Sequence, residues 1–381
     1  MPRVLIIGAG IGGLAAAVAF RRKGWDAAVY EAAPEFRPVG KGIWVPINAV
    51  TVLARLGLAD PVAHAGWPLD RIEIHAATGV PLAAIDLRPL VSRHGCGTVS
   101  VHRATLVGIL AAALPPEAFH LGKRLAGFAQ TPAGVIAHFE DGTEAAGDLL
   151  VGGDGIRSAV RGQLFPGVPL RYSGQTCYHG LVEADLPAEL LHTCREVWGG
   201  RYRFGFTATG PREVYWFAPV SAPAGAVDRG VVAAGHLKAW YADFPHPVPE
   251  LIARVRPDDI LLTELHDFEP IPSWHAGRVV LLGDAAHAMV PNLGQGGAQA
   301  IEDAYVLAES VCGGRELPDA LDEYERVRMP KAAAIVNAAW QLGQMSHWQR
   351  PAARWLRDRA MRCTPERVSR AMLDRLYRLN Y

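Results

Sequence analysis

The segment Val4-Leu-Ile-Ile7-Gly8-Ala-Gly10-Ile-Gly-Gly13-Leu14 limits what this chain can fold into more than any other stretch. Val4 to Ile7 form an apolar, mostly β-branched run of the length a buried parallel strand needs. Gly8, Gly10 and Gly13 fit G-x-G-x-x-G, and Leu14 to Phe20 continues as an alanine-rich helix. In such a unit the first glycine permits a tight turn, the second lets the backbone approach a pyrophosphate, and the third lets helix and strand pack closely. The helix N-terminus adds free N–H groups and a partial positive charge. The next strand, Asp26 to Glu31, ends in an acid placed to accept hydrogen bonds from a ribose. A glycine-rich turn in an unrelated α/β protein leaves Glu31 unexplained. An acid there disfavours a 2′-phosphate, so FAD or NAD is expected rather than NADP.

The remaining bulk properties narrow the setting. At 381 residues the chain has room for two domains or one domain with a lobe. Its 38 basic and 38 acidic residues balance, which argues against nucleic acid as a partner. No apolar stretch reaches the roughly 18 residues of a membrane span, and a core strand at the start predicts no signal peptide. The five cysteines are scattered without a C-x-x-C pair, which predicts free thiols and a cytoplasmic setting. The 14 histidines show neither H-x-H nor H-E-x-x-H spacing, and His75, His138 and His266 read as strand or surface residues, so no metal site is expected.

Patterning along the chain predicts helices at Ile47–Leu58 and Arg103–Leu114, a hairpin from Arg71–Ala76 and Val80–Ile85, and strands at Gly134–Phe139 and Asp148–Val151. Between Leu170 and Leu262 strand-like runs dominate: Thr176–Glu183, Glu196–Phe206 and Val214–Val220. Asp258–Leu265 and Arg278–Gly283 read as a return to buried strands, and helices follow from Gly297. The expected architecture is α/β: a Rossmann-like nucleotide-binding domain (1–70, 96–170 and 263–340), an inserted antiparallel-sheet substrate domain (71–95 and 171–262), and a C-terminal helical segment (341–381).

Two further motifs sit where ligands of open α/β sheets bind. Leu149 to Val151 runs into Gly152-Gly-Asp154-Gly155 and a helix start with Ser158 and Arg161. Asp154 either serves the cofactor or only caps that helix. Val279 to Leu282 runs into Gly283-Asp284, followed by Pro291-Asn292-Leu-Gly294-Gln-Gly296-Gly297 and another helix. Asp284 suits the hydroxyls of a polyol chain, and the glycines open backbone N–H groups toward an electron-rich ring edge, where the helix dipole stabilises negative charge.

With these three motifs in this order, and with Val101-His-Arg103, the chain resembles the single-component FAD-dependent aromatic hydroxylases, the hydroxybenzoate, salicylate and urate-oxidising monooxygenases, over about residues 1 to 330. The resemblance implies that Gly8, Gly10, Gly13, Glu31 and Arg103 hold the adenosine and pyrophosphate of FAD, Asp284 the ribityl chain, and Gly294, Gly296 and Gly297 the pyrimidine end of the ring system. It also implies that Asp154 touches both FAD and the reductant. NADH or NADPH is implied as a transient reductant, with dioxygen and an electron-rich aromatic or heteroaromatic small molecule as substrates, oxygen being delivered through a flavin hydroperoxide. A homodimer is a further expectation. Two positions depart from the family pattern: Lys41 replaces a small residue near the ring, either tuning the flavin or touching substrate or standing exposed, and Ala32 replaces the common arginine after Glu31.

Substrate residues are expected from the sheet lobe. Alternation across Trp198–Phe204 places Arg201 and Arg203 on one face, and Tyr215 shares a face with Phe217. Arg203 and Tyr215 fall where urate-oxidising relatives place an arginine and a tyrosine for substrate; the competing reading is an exposed strand arginine and a core tyrosine. An epoxidase or reductase of a hydrophobic prenyl or polyene substrate, and a flavin-binding sensor without turnover, are the alternative functions. The tail from Arg350 carries nine arginines and three acids. Trp355, Met361, Met372 and Leu376 could form one apolar side, packed beneath a solvated basic face or turned to a membrane surface or partner.

Overall fold

The computed structural model describes residues 1–36, 42–226 and 228–381, so Lys41 lies outside the described residues. Its six-stranded sheet runs in the order His275–Ala276, Val279–Leu281, Leu149–Gly152, Arg3–Ile7, Asp26–Glu31, Phe119–Leu121. All neighbours pair in parallel except His275–Ala276, which lies antiparallel at the edge. Strands covered on both faces read as unbroken apolar runs, and Val4, Leu5, Ile6, Leu149, Leu150 and Val151 are fully buried. Asp26–Glu31 lies on one side of Arg3–Ile7 and Leu149–Gly152 on the other. A crevice therefore opens at the carboxyl ends of these strands, the place where such sheets bind ligands. The helix Ile11–Arg22 is buried from Ile11 to Phe20 because it is wedged between this sheet and the helix Gly296–Val311. That explains its small, uniformly apolar residues.

The second sheet has seven strands in the order Leu261–Asp267, Arg171–Glu183, Glu213–Ser221, Arg203–Ala208, Thr193–Trp198, Arg71–Ala76, Pro81–Asp86. One face packs Phe204, Phe206, Trp216 and Val220 against the helices Gly230–Trp240 and Val248–Ala253. The other face turns toward the nucleotide-binding lobe. Three sequence readings change here. Thr193–Trp198 and Arg71–Ala76 pair in parallel, so the sheet is not wholly antiparallel. The run Glu196–Phe206 is two antiparallel strands, reversed where Gly200 takes φ +80° and the Gly199 N–H donates to the Tyr202 carbonyl at 2.8 Å. Arg201 thus sits exposed in a turn, its guanidinium donating to the Ser221 carbonyl, and does not share a strand face with Arg203. Finally, Leu261–Asp267 pairs with Arg171–Glu183 as an edge strand of this sheet and does not join the buried strands of the other lobe.

A 30-residue helix, Leu317–Ser346, runs along both lobes and is followed by Pro351–Cys363 and Glu366–Tyr377. The expected apolar side of these last two helices divides: Leu376 packs beside Tyr377 against the cluster around Leu69 and Leu90, whereas Trp355 and Met372 do not. Trp355 and Met372 are 65% and 61% exposed, while Arg357, Asp374 and Tyr377 face inward. The Arg357 guanidinium lies over the Trp198 ring, 5.2 Å from its centroid, so a long basic side chain does the covering. Among the described residues no helix is long and apolar enough to cross a membrane.

Candidate active site

The site begins at the glycine turn. Gly8 takes φ +102°, and a Cβ there would sit 2.5 Å from the Gly153 carbonyl oxygen. A Cβ on Gly13 would lie 2.0 Å from the Gly8 oxygen, so helix and strand meet as the motif requires. Gly10 differs: a Cβ there would meet no protein atom within 4 Å. No packing contact explains its missing side chain. It lines a cavity of about 480 Å³ with Gly8, Glu31, Gly153 and Asp154, the space a pyrophosphate cradle needs. The Glu31 carboxylate accepts from the Ala9 N–H through Oε2 and the Ala33 N–H through Oε1, both at 2.8 Å. It thereby ties the glycine turn to the chain beyond the second strand and keeps further lone pairs for a ribose.

Asp154 caps the following helix and also lines the first cavity. Its carboxylate accepts from the Ser158 hydroxyl and the Ala159 and Val160 N–H groups at the start of the helix Ala159–Leu164, while the residue faces Gly8, Gly10 and Glu31 across that cavity. Burial pushes its carboxyl up, and these hydrogen bonds oppose the shift. Arg161 instead turns inward. It donates to the Ala285 and Ile156 carbonyls and lies over the Phe268 ring, locking the Asp154 segment to the Asp284 segment.

A second cavity, about 950 Å³, is lined by Arg103 at the start of the helix Arg103–Ala112, by Arg157 and by Asp284. The Asp284 carboxyl is pushed up by the protein around it, against the pull of His287, Arg103 and Arg161. A third chamber, about 260 Å³, lies between the two lobes. Gly294, Gly296, Gly297 and Asp284 form one wall; Arg203, Tyr215, Phe217, Cys177 and Glu196 form the other. Arg157 borders the first and second cavities, and Asp284, Met289 and Pro291 border the second and third. The three make one groove, which brings together every expected cofactor residue in the described chain: Gly8, Gly10, Glu31, Arg103, Asp154, Asp284, Gly294, Gly296 and Gly297 line it, with Gly13 packed directly beneath.

Strand alternation explains the sheet wall. Tyr215 and Phe217 point to the chamber while Val214, Trp216 and Ala218 point to the core. Phe217 lies flat across Gly205, where a Cβ would come within 2.1 Å of its ring. Arg203 is 2% exposed; its Nη2 donates to Asn292 Oδ1 at 2.7 Å and its Nη1 to Ser346 Oγ at 2.9 Å. Burial pushes the Tyr215 phenol well up, and the Cys177 and Cys194 thiols add to this, so Tyr215 stands as a neutral hydrogen-bond donor. Burial also raises the Cys177 thiol to about 12 and lowers His347, beyond Arg203, to about 3.

A buried polar network holds the glycine wall in place. Asn48 Nδ2 donates to Gln295 Oε1 and Glu302 Oε1, and Arg328 bonds Glu302, Asp303 and Gln299. Asp303 in turn accepts from the Gly283 N–H at 2.9 Å and from His287, fixing the turn that presents Asp284. Burial opposes ionisation of Asp303, yet His287 and Arg328 outweigh it and hold its carboxyl at about 2. Sequence reading missed Glu196, Asn292, Ser346, Asn48 and Arg328. Gly343, inside a helix, belongs to the same arrangement: a Cβ there would strike Asn292 Nδ2 at 2.3 Å.

A dinucleotide groove that opens onto an aromatic-walled chamber between two lobes defines a flavoprotein oxygenase class of architecture. The model of the FAD binding domain family matches residues 1–339. The aurachin C monooxygenase/isomerase of Stigmatella aurantiaca is 39% identical over 94% of this chain and 93% of its own. The 2-heptyl-3-hydroxy-4(1H)-quinolone synthase of Pseudomonas aeruginosa is 35% identical over 98% and 97%. Among solved structures, Klebsiella pneumoniae HpxO complexed with FAD and uric acid superposes with a TM-score of 0.92 at 32% identity, covering 99% of this chain and 96% of that one. The chain belongs to the FAD binding domain family and is a FAD-dependent monooxygenase of the aromatic-hydroxylase type. The family draws its electrons from NADH or NADPH.

Proposed function

We propose that the groove holds FAD with its adenosine at Glu31, its pyrophosphate over Gly10 and beside Arg103, its ribityl chain at Asp284 and its ring edge against Gly294, Gly296 and Gly297. Arg203 and Tyr215 then hold an aromatic or heteroaromatic substrate on the opposite wall. When bound, FAD supplies the redox and oxygen-transfer chemistry, with dioxygen as the oxygen source. The protein contributes position, dryness and fixed dipoles. The N–H groups opening the helix Gly296–Val311 face the ring wall and stabilise negative charge there. Tyr215 donates to an oxygen on the substrate ring, and the Arg203 fork, preset by Asn292 and Ser346, orients it. The side chains of Phe217, Trp44 and Ile43 exclude water.

The observation that carries this reading is the meeting of Arg203 and Tyr215, from one sheet, with the glycine wall of the other lobe across one small chamber. A prenyl or polyene epoxidase calls for an apolar chamber, whereas Arg203 and Glu196 stand in this wall. The test screens the yellow holoenzyme with NADH and NADPH against benzoates, phenols, purines and quinolones. Coenzyme loss above background should accompany a product heavier by one oxygen; a flavin sensor would show neither. Arg203→Ala should keep its flavin and lose at least tenfold in kcat/KM on the substrate found. An unchanged kcat/KM removes Arg203 from the site.

All five cysteines are unpaired, which supports a reducing cytoplasm. The outward-facing Trp355 and Met372 support a homodimer, which light scattering on the holoenzyme tests.

A further inference from the structure

Among the described residues the chamber holds one buried cation, Arg203, and it is already paired with an acid. Arg203 Nε lies 3.5 Å from Glu196 Oε2, and the same oxygen accepts the Trp198 indole N–H at 2.9 Å. Nη1 and Nη2 each donate one bond, to Ser346 and Asn292, which leaves a second N–H on each. Glu196 lines the chamber with its side chain 14% exposed, and its Oε1 has no hydrogen-bond partner among the described residues. Cys177, Tyr215 and His347 stand neutral around this pair, and Asp284 adds an acid at the chamber's far edge. Among the described residues, the walls therefore carry no surplus positive charge for an anion. They offer instead donors on Arg203 and Tyr215 and a carboxylate acceptor on Glu196.

We propose that Glu196 is a specificity-determining residue: its Oε1 accepts a ring N–H, and its charge selects an uncharged heteroaromatic lactam or vinylogous amide over an aromatic carboxylate. The inference rests on the hydroxylase reading and names the substrate class of that same site. A benzoate-type ligand would bring a second carboxylate to an arginine already paired, with Glu196 in repulsive range and its lone pairs unanswered. An N–H/C=O heterocycle answers both sides: its carbonyl meets Arg203 or Tyr215, and its N–H meets Glu196. A site built to hydrogen-bond a substrate N–H rejects the analogue lacking it, because the buried acceptor is left unpaired.

The holoenzyme is titrated with 4(1H)-quinolone, 1-methyl-4-quinolone and salicylate, following the flavin absorbance, and each is assayed for stimulated NAD(P)H oxidation. Quinolone should bind at least tenfold more tightly than either of the others. In Glu196→Gln, which keeps an acceptor for Trp198 but presents an amide N–H to the chamber, quinolone should weaken at least tenfold and salicylate should tighten. The penalty for N-methylation should shrink to within about twofold, since the acceptor it thwarts is gone. The proposal is overturned if salicylate binds the wild type as tightly as quinolone, if N-methylation costs less than twofold there, or if quinolone leaves the flavin spectrum unchanged. Should Glu196→Gln lose its flavin, the three wild-type affinities decide alone. Turnover of salicylate in preference to quinolone sinks the specificity and leaves the hydroxylase reading standing. Absence of stimulated oxidation with any compound in the wider screen sinks the hydroxylase reading itself.

Discussion

Two glycines of one motif do different physical work, and substitution should separate them. Gly10 has an ordinary extended φ of −75° and open space where a Cβ would go. Gly10→Ala should leave the melting temperature of the flavin-free protein unchanged, within about 0.5 kcal/mol of stability, yet weaken FAD at least tenfold by fluorescence titration. Gly8 has φ +102° and a backbone oxygen 2.5 Å from the would-be Cβ. Gly8→Ala should cost about 1–3 kcal/mol in the flavin-free protein itself. Equal effects of the two substitutions on the flavin-free protein would contradict this division. The glycine fingerprint, Glu31, Asp154 and Asp284 were legible because each stands at a strand end next to its motif. Arg203 was legible from its strand, but its partners were not: Glu196 sits on the neighbouring hairpin strand, and Asn292 and Ser346 arrive from two distant stretches that no spacing rule links to it. Gly343, cut to fit Asn292, is intelligible only once the contact is known.

At the scale of elements, the parallel sheet was readable because burial on both faces writes itself as unbroken apolar runs. The seven-stranded sheet was readable in its alternation but not in its pairing. Gly199 and Gly200 interrupt a pattern that remains strand-like on both sides, and nothing local says whether a glycine pair bends a strand or reverses it. The parallel pairing of Thr193–Trp198 with Arg71–Ala76 joins segments more than a hundred residues apart and leaves no trace in either. The junction between this sheet and the long helix carries a pH signature. Burial first, then Arg203, lowers His347 to about 3, while an unfolded histidine titrates near 6.5. A depressed folded value means that the unfolded chain binds the extra proton, so the stabilisation is present above pH 6.5 and is lost as pH falls toward 3. His347→Gln should flatten the stability profile between pH 6 and 4 by up to about 1.4 kcal/mol per pH unit, read from denaturant unfolding. A mutant profile parallel to the wild type over that range would contradict the assignment.

Across the whole molecule, cofactor binding and folding are linked. FAD bound at a hundred times its dissociation constant adds about 2.7 kcal/mol to stability, so the melting temperature should rise with FAD concentration. Asp284→Ala should lose most of that rise and most of the flavin retained on purification; normal retention would contradict its assignment to the ribityl chain. Arg328→Met leaves Glu302 and Asp303 buried without their guanidinium and should cost about 3–5 kcal/mol, read as a lower melting temperature even with FAD in excess. The helix Leu317–Ser346 carries Arg328 toward its middle and Ser346 at its C-terminal end, roughly 27 Å apart along its axis. One rod thus braces the bed of the prosthetic group and sets the reach of the arginine that greets the guest molecule. Anyone transplanting a new specificity into this scaffold by exchanging the seven strands alone would inherit a misaligned guanidinium; the rod must travel with them.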